Sequence, residues 1–206
     1  MEKRIFKNTQ VRAAGGEVPT EISGIGAVVG ISTDLGYCEE EIAPDAFASA
    51  DLSEVLVCFN HDLDCILGKN TANTAEIKVD ENGNLVYRAY DLDMDNPEVV
   101  PPVRYIMRGE VNKSSFMFEI MEEVWSDSEK YGSYGKRRIT KIGKVYETGP
   151  VTLPAYEDTE SECKALEPVL MAARSKWIEA NETPHLIDDE TERDAEWRNF
   201  YQLIIK

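Results

Sequence analysis

The stretch TAEIKVDENGNLVYRAYDL, residues 74–92, constrains this chain more than any other. Ile77 and Val79 alternate with polar neighbours, Asn82-Gly83 supplies a turn, and Leu85, Tyr87 and Ala89 alternate back. Successive side chains on a strand point to opposite faces, so each arm acquires one apolar face. Asn-Gly between two such arms is a strong short-range hairpin signal. The segment therefore predicts a β-hairpin.

Its neighbours up to about residue 160 read the same way. EISGIGAVVGIST (21–33) is apolar, β-branched and interrupted by glycine, which suits a buried strand with bulges or close backbone approach. Its glycines lack the G-x-G-x-x-G spacing of a dinucleotide site, and no helical pattern follows. EEEIAPDAFASAD (39–51) predicts a turn into a short helix that starts at Pro44. SEVLVCFNHD (53–62) alternates from Val55 to Phe59, a strand that places His61 on the parity of Phe59 if it continues that far. Residues 96–110 predict a helix after their prolines, with Val103, Ile106 and Met107 on one stripe and Gly109 as the stop. Residues 111–126 alternate again through Phe116, Phe118 and Ile120. Residues 137–156 predict two strands broken at Gly143, followed by Pro150 and Pro154.

Beyond residue 160 the character changes. Residues 161–181 have helical propensity despite Pro168, and the tail carries an acidic run at 188–196. The expected organisation is a β-rich domain over 1–160 and an acidic helical or partly disordered appendage over 161–206.

Hydrophobic residues make up 42% of the 206, enough for a packed core. Asp and Glu number 39 against 22 Lys and Arg, a formal charge of −17. Such a surface repels phosphate backbones and anionic membranes, so neither nucleic acid nor membrane is an expected partner. No apolar run approaches the roughly 18 residues that cross a bilayer, and the N-terminal segment lacks the apolar centre of a secretion signal. A cytoplasmic protein is expected. Cys38, Cys58, Cys65 and Cys163 form no CxxC pair and no metal-ligand spacing, so free thiols, and neither metal nor cofactor, are expected.

Three places carry polar groups beside residues that should be buried: His61 at a strand end, Ser114-Ser115 entering a strand, and Glu147 before a proline-containing stretch. A serine becomes a nucleophile when a base takes its proton, and the imidazole of that base needs a partner on its other nitrogen. A glutamate can be that partner. Spacing alone does not join three residues so far apart. Their commoner fates are a histidine bonded to Asp62 or a carbonyl, a serine in a turn, and a solvated glutamate. Cys58 and Cys65 flank His61 and raise a Cys–His nucleophile as a rival, although small buried hydrophobes are the commoner role.

The phrases EEIAPDAF, FNHD…ILGK, GEVNKSSFMFEI and RRITKI…VYETGPVTLPAYEDT, in this order and with these gaps, resemble the prohead proteases of tailed phages. The likeness runs from about residue 20 to 160. That family is similar to the herpesvirus assembly proteases, which implies an α+β, β-rich fold: a mainly antiparallel β-barrel flanked by helices. By position, His61 in FNHD matches the catalytic histidine. Ser115, followed by Phe116-Met117-Phe118, matches the nucleophile. Glu147, ahead of Thr148-Gly149-Pro150-Val151-Thr152-Leu153-Pro154-Ala155, matches the third member. Small residues often precede the serine in the family, whereas here Lys113-Ser114 does, which leaves Ser114 as a competing nucleophile. Herpesvirus relatives use a second histidine as the third member, and the only other one here, His185, lies outside the matched region. Backbone amides at Arg137 and Arg138 are the oxyanion candidates by the same similarity.

The resemblance implies a serine endopeptidase that cleaves the scaffold or delta segment of the major capsid protein, and itself, inside an immature shell in the host cytoplasm. By analogy with the herpesvirus enzymes it also raises a homodimer. A rival from another class is a non-catalytic scaffold or assembly protein that keeps the protease fold and works through its acidic tail. Retention of both His61 and Ser115 argues against that rival.

Overall fold

A computed structural model describes residues 2–6, 11–14, 19–152 and 160–181. In chain order the strands are β1 (Glu2–Phe6), β2 (Val11–Ala14), β3 (Glu21–Ala27), β4 (Ser32–Asp34), β5 (Glu39–Ile42), β6 (Leu56–Cys58), β7 (Ile66–Lys69), β8 (Ala75–Val79), β9 (Leu85–Tyr90), β10 (Lys113–Ser128) and β11 (Gly132–Val151). The helices are α1 (Val100–Met107) and α2 (Glu160–Asn181). The chain divides into two units, Met1–Leu170 and Met171–Lys206. All the strands and α1 belong to the first. The described part of the second is the end of α2. His185 and the acidic run at 188–196 lie outside the described residues, as does the Leu153-Pro154-Ala155 end of the phrase after Glu147.

The strands form two sheets. One follows the path β1-β10-β11-β5-β4, with β6 also paired to β11 and β7 to β6. The other runs β2-β3-β9-β8. The mostly β character expected from the alternation is present, but among the described residues no closed barrel is found. Closure requires the two end strands of a sheet to pair with each other, and β1 and β4 end their path on different partners, β10 and β5. Phe116, Phe118, Ile139, Ile142 and Val145 from the first sheet join Ile22, Ile77, Leu85 and Tyr87 from the second in one buried cluster. Phe116 and Phe118 stack at 4.2 Å, and burying each ring contributes roughly 1.5–3 kcal/mol.

The β8–β9 hairpin forms as expected, with Ile77 opposite Tyr87 and Val79 opposite Leu85. Its reversal is longer than a two-residue turn. Asp80 N donates to Asn84 O at 2.9 Å, only Gly83 in the turn has positive φ, and the Asp80 carboxylate accepts from the amides of Asn82 and Asn84. The glycine-interrupted strand is β3. A bulge falls between Ile25 and Ala27, and a side chain at Gly26 would meet Thr148 Oγ1 of β11.

Three local expectations need correction. Residues 39–51 give β5 and then a run of turns, not a helix. Ala46 O accepts from Ile142 N of β11 (2.9 Å), so the carbonyl that would start a helical ladder is already taken. Ala46, Ala48 and Ala50 instead donate to carbonyls three residues back. Gly143 does not break its strand. β11 runs through it, and the irregular register around Ile120 and Glu122 of β10 absorbs the mismatch as bulges. Pro101 and Pro102 lie inside the first turn of α1 rather than before it, where missing amides cost little. Val103 and Ile106 are buried there, and Met107 faces outward.

Candidate active site

His61 stands on a turn, not on the strand that precedes it. β6 ends at Cys58, and Asn60 and His61 both adopt left-handed backbone, φ 53° and 59°. The imidazole therefore leaves the strand parity of Phe59. Each non-glycine residue held in a sparsely populated region costs on the order of 1–3 kcal/mol, so neighbours must hold the turn. Asp62 N donates to Phe59 O (2.9 Å), and Phe59 N donates to Cys65 O (3.2 Å). Asn60 N donates to Pro150 O (3.0 Å), while the amide and hydroxyl of Thr152 donate to Asn60 Oδ1 at 2.8 and 3.1 Å. The Asp62 carboxylate accepts from Asp64 N within the turn.

Glu147 occupies the middle of a three-strand row on β11, opposite Met117 of β10 and Leu56 of β6. It is 1% exposed, and its Oε1 accepts from His61 Nδ1. The histidine's partner is therefore Glu147 rather than Asp62, across 86 residues of chain. A proton held on Nδ1 by a carboxylate leaves the Nε2 lone pair free to act as a base. Nε2 and Glu147 Oε2 are both buried without a hydrogen-bond partner.

Ser115 is on β10, opposite Gly149 and diagonal to Glu147. Diagonal neighbours in an antiparallel ladder stand roughly 7–8 Å apart. Strand alternation puts Ser115, Met117 and Glu147 on one face of the sheet and Ser114, Phe116 and Thr148 on the other. Two contacts fix which face is which: Ser114 Oγ bonds to Tyr87 Oη of the second sheet (2.9 Å), and Phe116 belongs to the core. Ser115 thus shares the Glu147 face, and Ser114 points away from it. At Gly149 a side chain would collide with the Cys58 carbonyl, so only glycine lets β6 approach β11 at this row. Neither Asn60 nor Gly149 stands out in the sequence. The available signals were the tolerance of asparagine for left-handed backbone and a glycine inside a strand pattern.

The oxyanion candidates Arg137 and Arg138 lie within β11. Arg137 lies ten positions before Glu147 on the continuous β11, roughly 30 Å of chain at ~3.3 Å per residue. Residues 137 and 138 pair with Trp125 and Val124 on one side and with Glu40 and Glu41 on the other, so their backbone belongs to the sheet ladder. The Arg137 side chain is buried in ion pairs with Glu40 (3.0 Å) and Glu123 and lies over Trp125, an arrangement that ties β11 to β5 and β10.

The thiol rival finds no support. Cys58 is buried, and desolvation, with the nearby Glu147 charge second, pushes its thiol up to about 12. Cys65 is raised mainly by burial, and its Sγ donates to Glu98 O (3.3 Å). Both stay protonated at neutral pH, where only a thiolate would attack. Among the described residues no cluster of His, Cys, Asp and Glu is arranged to hold a metal ion, and no helix is long and apolar enough to cross a membrane.

A family model described as caudovirus prohead serine protease matches residues 7–172 of the 206. No curated protein and no solved structure matches the chain.

Proposed function

The chain belongs to the caudovirus prohead serine protease family, and from that premise we propose that it is an active capsid-maturation endopeptidase working through Ser115, His61 and Glu147. The observation that carries this reading is the His61–Glu147 bond on the sheet face that Ser115 shares, with Nε2 left unpartnered. Buried polar atoms without partners are costly and rare, and an imidazole nitrogen awaiting a serine proton accounts for this one.

Ser115 Oγ attacks the scissile carbonyl while His61 Nε2 takes its proton. The same nitrogen returns that proton to the leaving amine, and water then hydrolyses the acyl-enzyme by the reverse relay. Glu147 holds the Nδ1 proton and faces the imidazolium as it forms. Ser115 is chosen over Ser114 because Ser114 points to Tyr87, away from the imidazole.

Membership of the family implies interaction with capsid proteins and action inside the procapsid. The proposed substrates are the scaffold or delta segment of the major capsid protein and the protease itself, after assembly in the host cytoplasm. Residues 1–160 are the proposed protease domain and 161–206 the appendage, part of which is a candidate for self-removal. The test is co-expression with the capsid protein, followed by mass spectrometry of both chains. Wild type is expected to shorten the capsid protein and Ser115→Ala to leave it intact. Labelling by a serine-directed fluorophosphonate at Ser114, or undiminished processing by Ser115→Ala, refutes the assignment.

A further inference from the structure

The turn that carries His61 has no strand pairing of its own beyond Cys58, yet two consecutive non-glycine residues in it are left-handed. Such a conformation persists only where its surroundings over-determine it. Asn60 is where they do so. Its amide reaches Pro150 O, and its Oδ1 receives both donors of Thr152, so one residue bridges the turn to the end of β11 three times. Glu147 lies on the same strand, three residues before Pro150. The strand that supplies the carboxylate therefore also fixes the turn that supplies the imidazole.

From this we infer that Asn60 is a positioning residue: its side-chain latch to Thr152 sets the backbone of His61 so that Nδ1 meets Glu147 and Nε2 faces the Ser115 side of the sheet. The inference rests on the reading of His61, Glu147 and Ser115 as catalytic. The requirement is chemically specific. It asks for a side chain that tolerates left-handed backbone and presents an acceptor one carbon beyond Cβ. Asparagine and aspartate satisfy both conditions, glycine only the first, and alanine neither.

The experiment measures the rate of inactivation of the full chain by a fluorophosphonate, resolved into reagent affinity and maximal rate. The low-field proton resonance of the His61 Nδ1–H is recorded alongside. Asn60→Asp is expected to stay within about threefold of wild type, whereas Asn60→Gly and Asn60→Ala lose about tenfold or more in maximal rate with affinity unchanged, because misplaced catalytic groups forfeit rate rather than binding. The low-field resonance is expected to persist in the aspartate variant and to broaden or vanish in the other two. Thr152→Val, which removes the hydroxyl donor but keeps the amide, is expected to fall between. A wild-type rate and an unchanged resonance in Asn60→Gly would overturn the latch, as would an aspartate variant as slow as alanine. His61→Ala serves as the reference. If it reacts at the wild-type rate, the catalytic reading itself falls; if it is inert while every Asn60 variant is normal, only the latch falls.

Discussion

The two halves of the site are held by different means. Ser115 and Glu147 sit on β10 and β11, in a ladder that runs from Lys113↔Val151 to Ser128↔Gly132, with stacked Phe116 and Phe118 on the reverse face. His61 sits on a turn after a three-residue strand, held by a few bonds, and its neighbours Asn60 and Asp62–Asp64 are exposed. Ser115 and Glu147 are thus placed by the same burial that makes the domain fold. His61 is placed by a local device whose bonds compete with water and contribute about 1 kcal/mol each. The relative position of His61 and Ser115 is consequently the part of the candidate site most open to adjustment without unfolding.

The sharpest way to break this comparison is to remove the proposed reacting groups themselves. Ser115→Ala and His61→Ala are each expected to lower peptide hydrolysis by on the order of 10⁵–10⁶-fold, with melting temperatures close to wild type. A large fall in melting temperature for His61→Ala would show the turn to be part of the folding core. Glu147→Gln is expected next, at on the order of 10⁴-fold, because it leaves the base in place but weakens its orientation. Loss from Asp62→Asn with none from Glu147→Gln would transfer the role to Asp62. Gly149→Ala comes third, with a loss on the order of 10²-fold from displacing β6, and the turn it carries, away from β11. If β6 instead yields without effect on rate, the row through Ser115, Gly149 and Cys58 is less rigid than its close approach indicates.

The same contrast explains what could be read from the sequence. Alternation revealed the strand-borne half: Ile77 with Val79, and Phe116 with Phe118, report burial on one face, and burial is what the pattern encodes. It misled where a long-range partner outbid local propensity. Ala46 gives its carbonyl to Ile142 instead of to a helix, and bulges carry β11 through Gly143. The barrel came from the resemblance and had no local signal to test it. For the site, residues 61, 115 and 147 emerged only from linked phrases taken together, since cross-strand register, not period, unites them. The difference between Ser114 and Ser115 is one step of parity whose meaning depends on which face meets Tyr87. Arg137 and Arg138 entered only through the resemblance, and nothing local shows that β11 is one unbroken strand.

The smallest expected effect sets two cysteines against each other. Cys58 ends the strand and Cys65 lies in the turn; both are buried. At pH 8 a thiol pushed up to about 12 is almost wholly protonated, so brief treatment with iodoacetamide is expected to leave peptide hydrolysis unchanged. Prolonged treatment is expected to label Cys65 before Cys58, because the turn opens locally while the strand opens only with the sheet. Peptide mapping reads the order, and equal labelling would erase the distinction between the two supports. Alkali should then attack the strand side. The unfolded chain releases the Cys58 proton near its ordinary value of 9.0, whereas the folded chain holds it until about 12. Stability is therefore intact below about pH 9 and declines as the pH rises towards 12, since the unfolded state is the one that gives up its proton first. Burial raises Tyr87 above its ordinary 10.0 and adds to the loss in the same direction. Replacing Cys58 with alanine should flatten that alkaline decline, measured as melting temperature against pH, and changing Tyr87 to phenylalanine should flatten it further at the expense of its bond to Ser114.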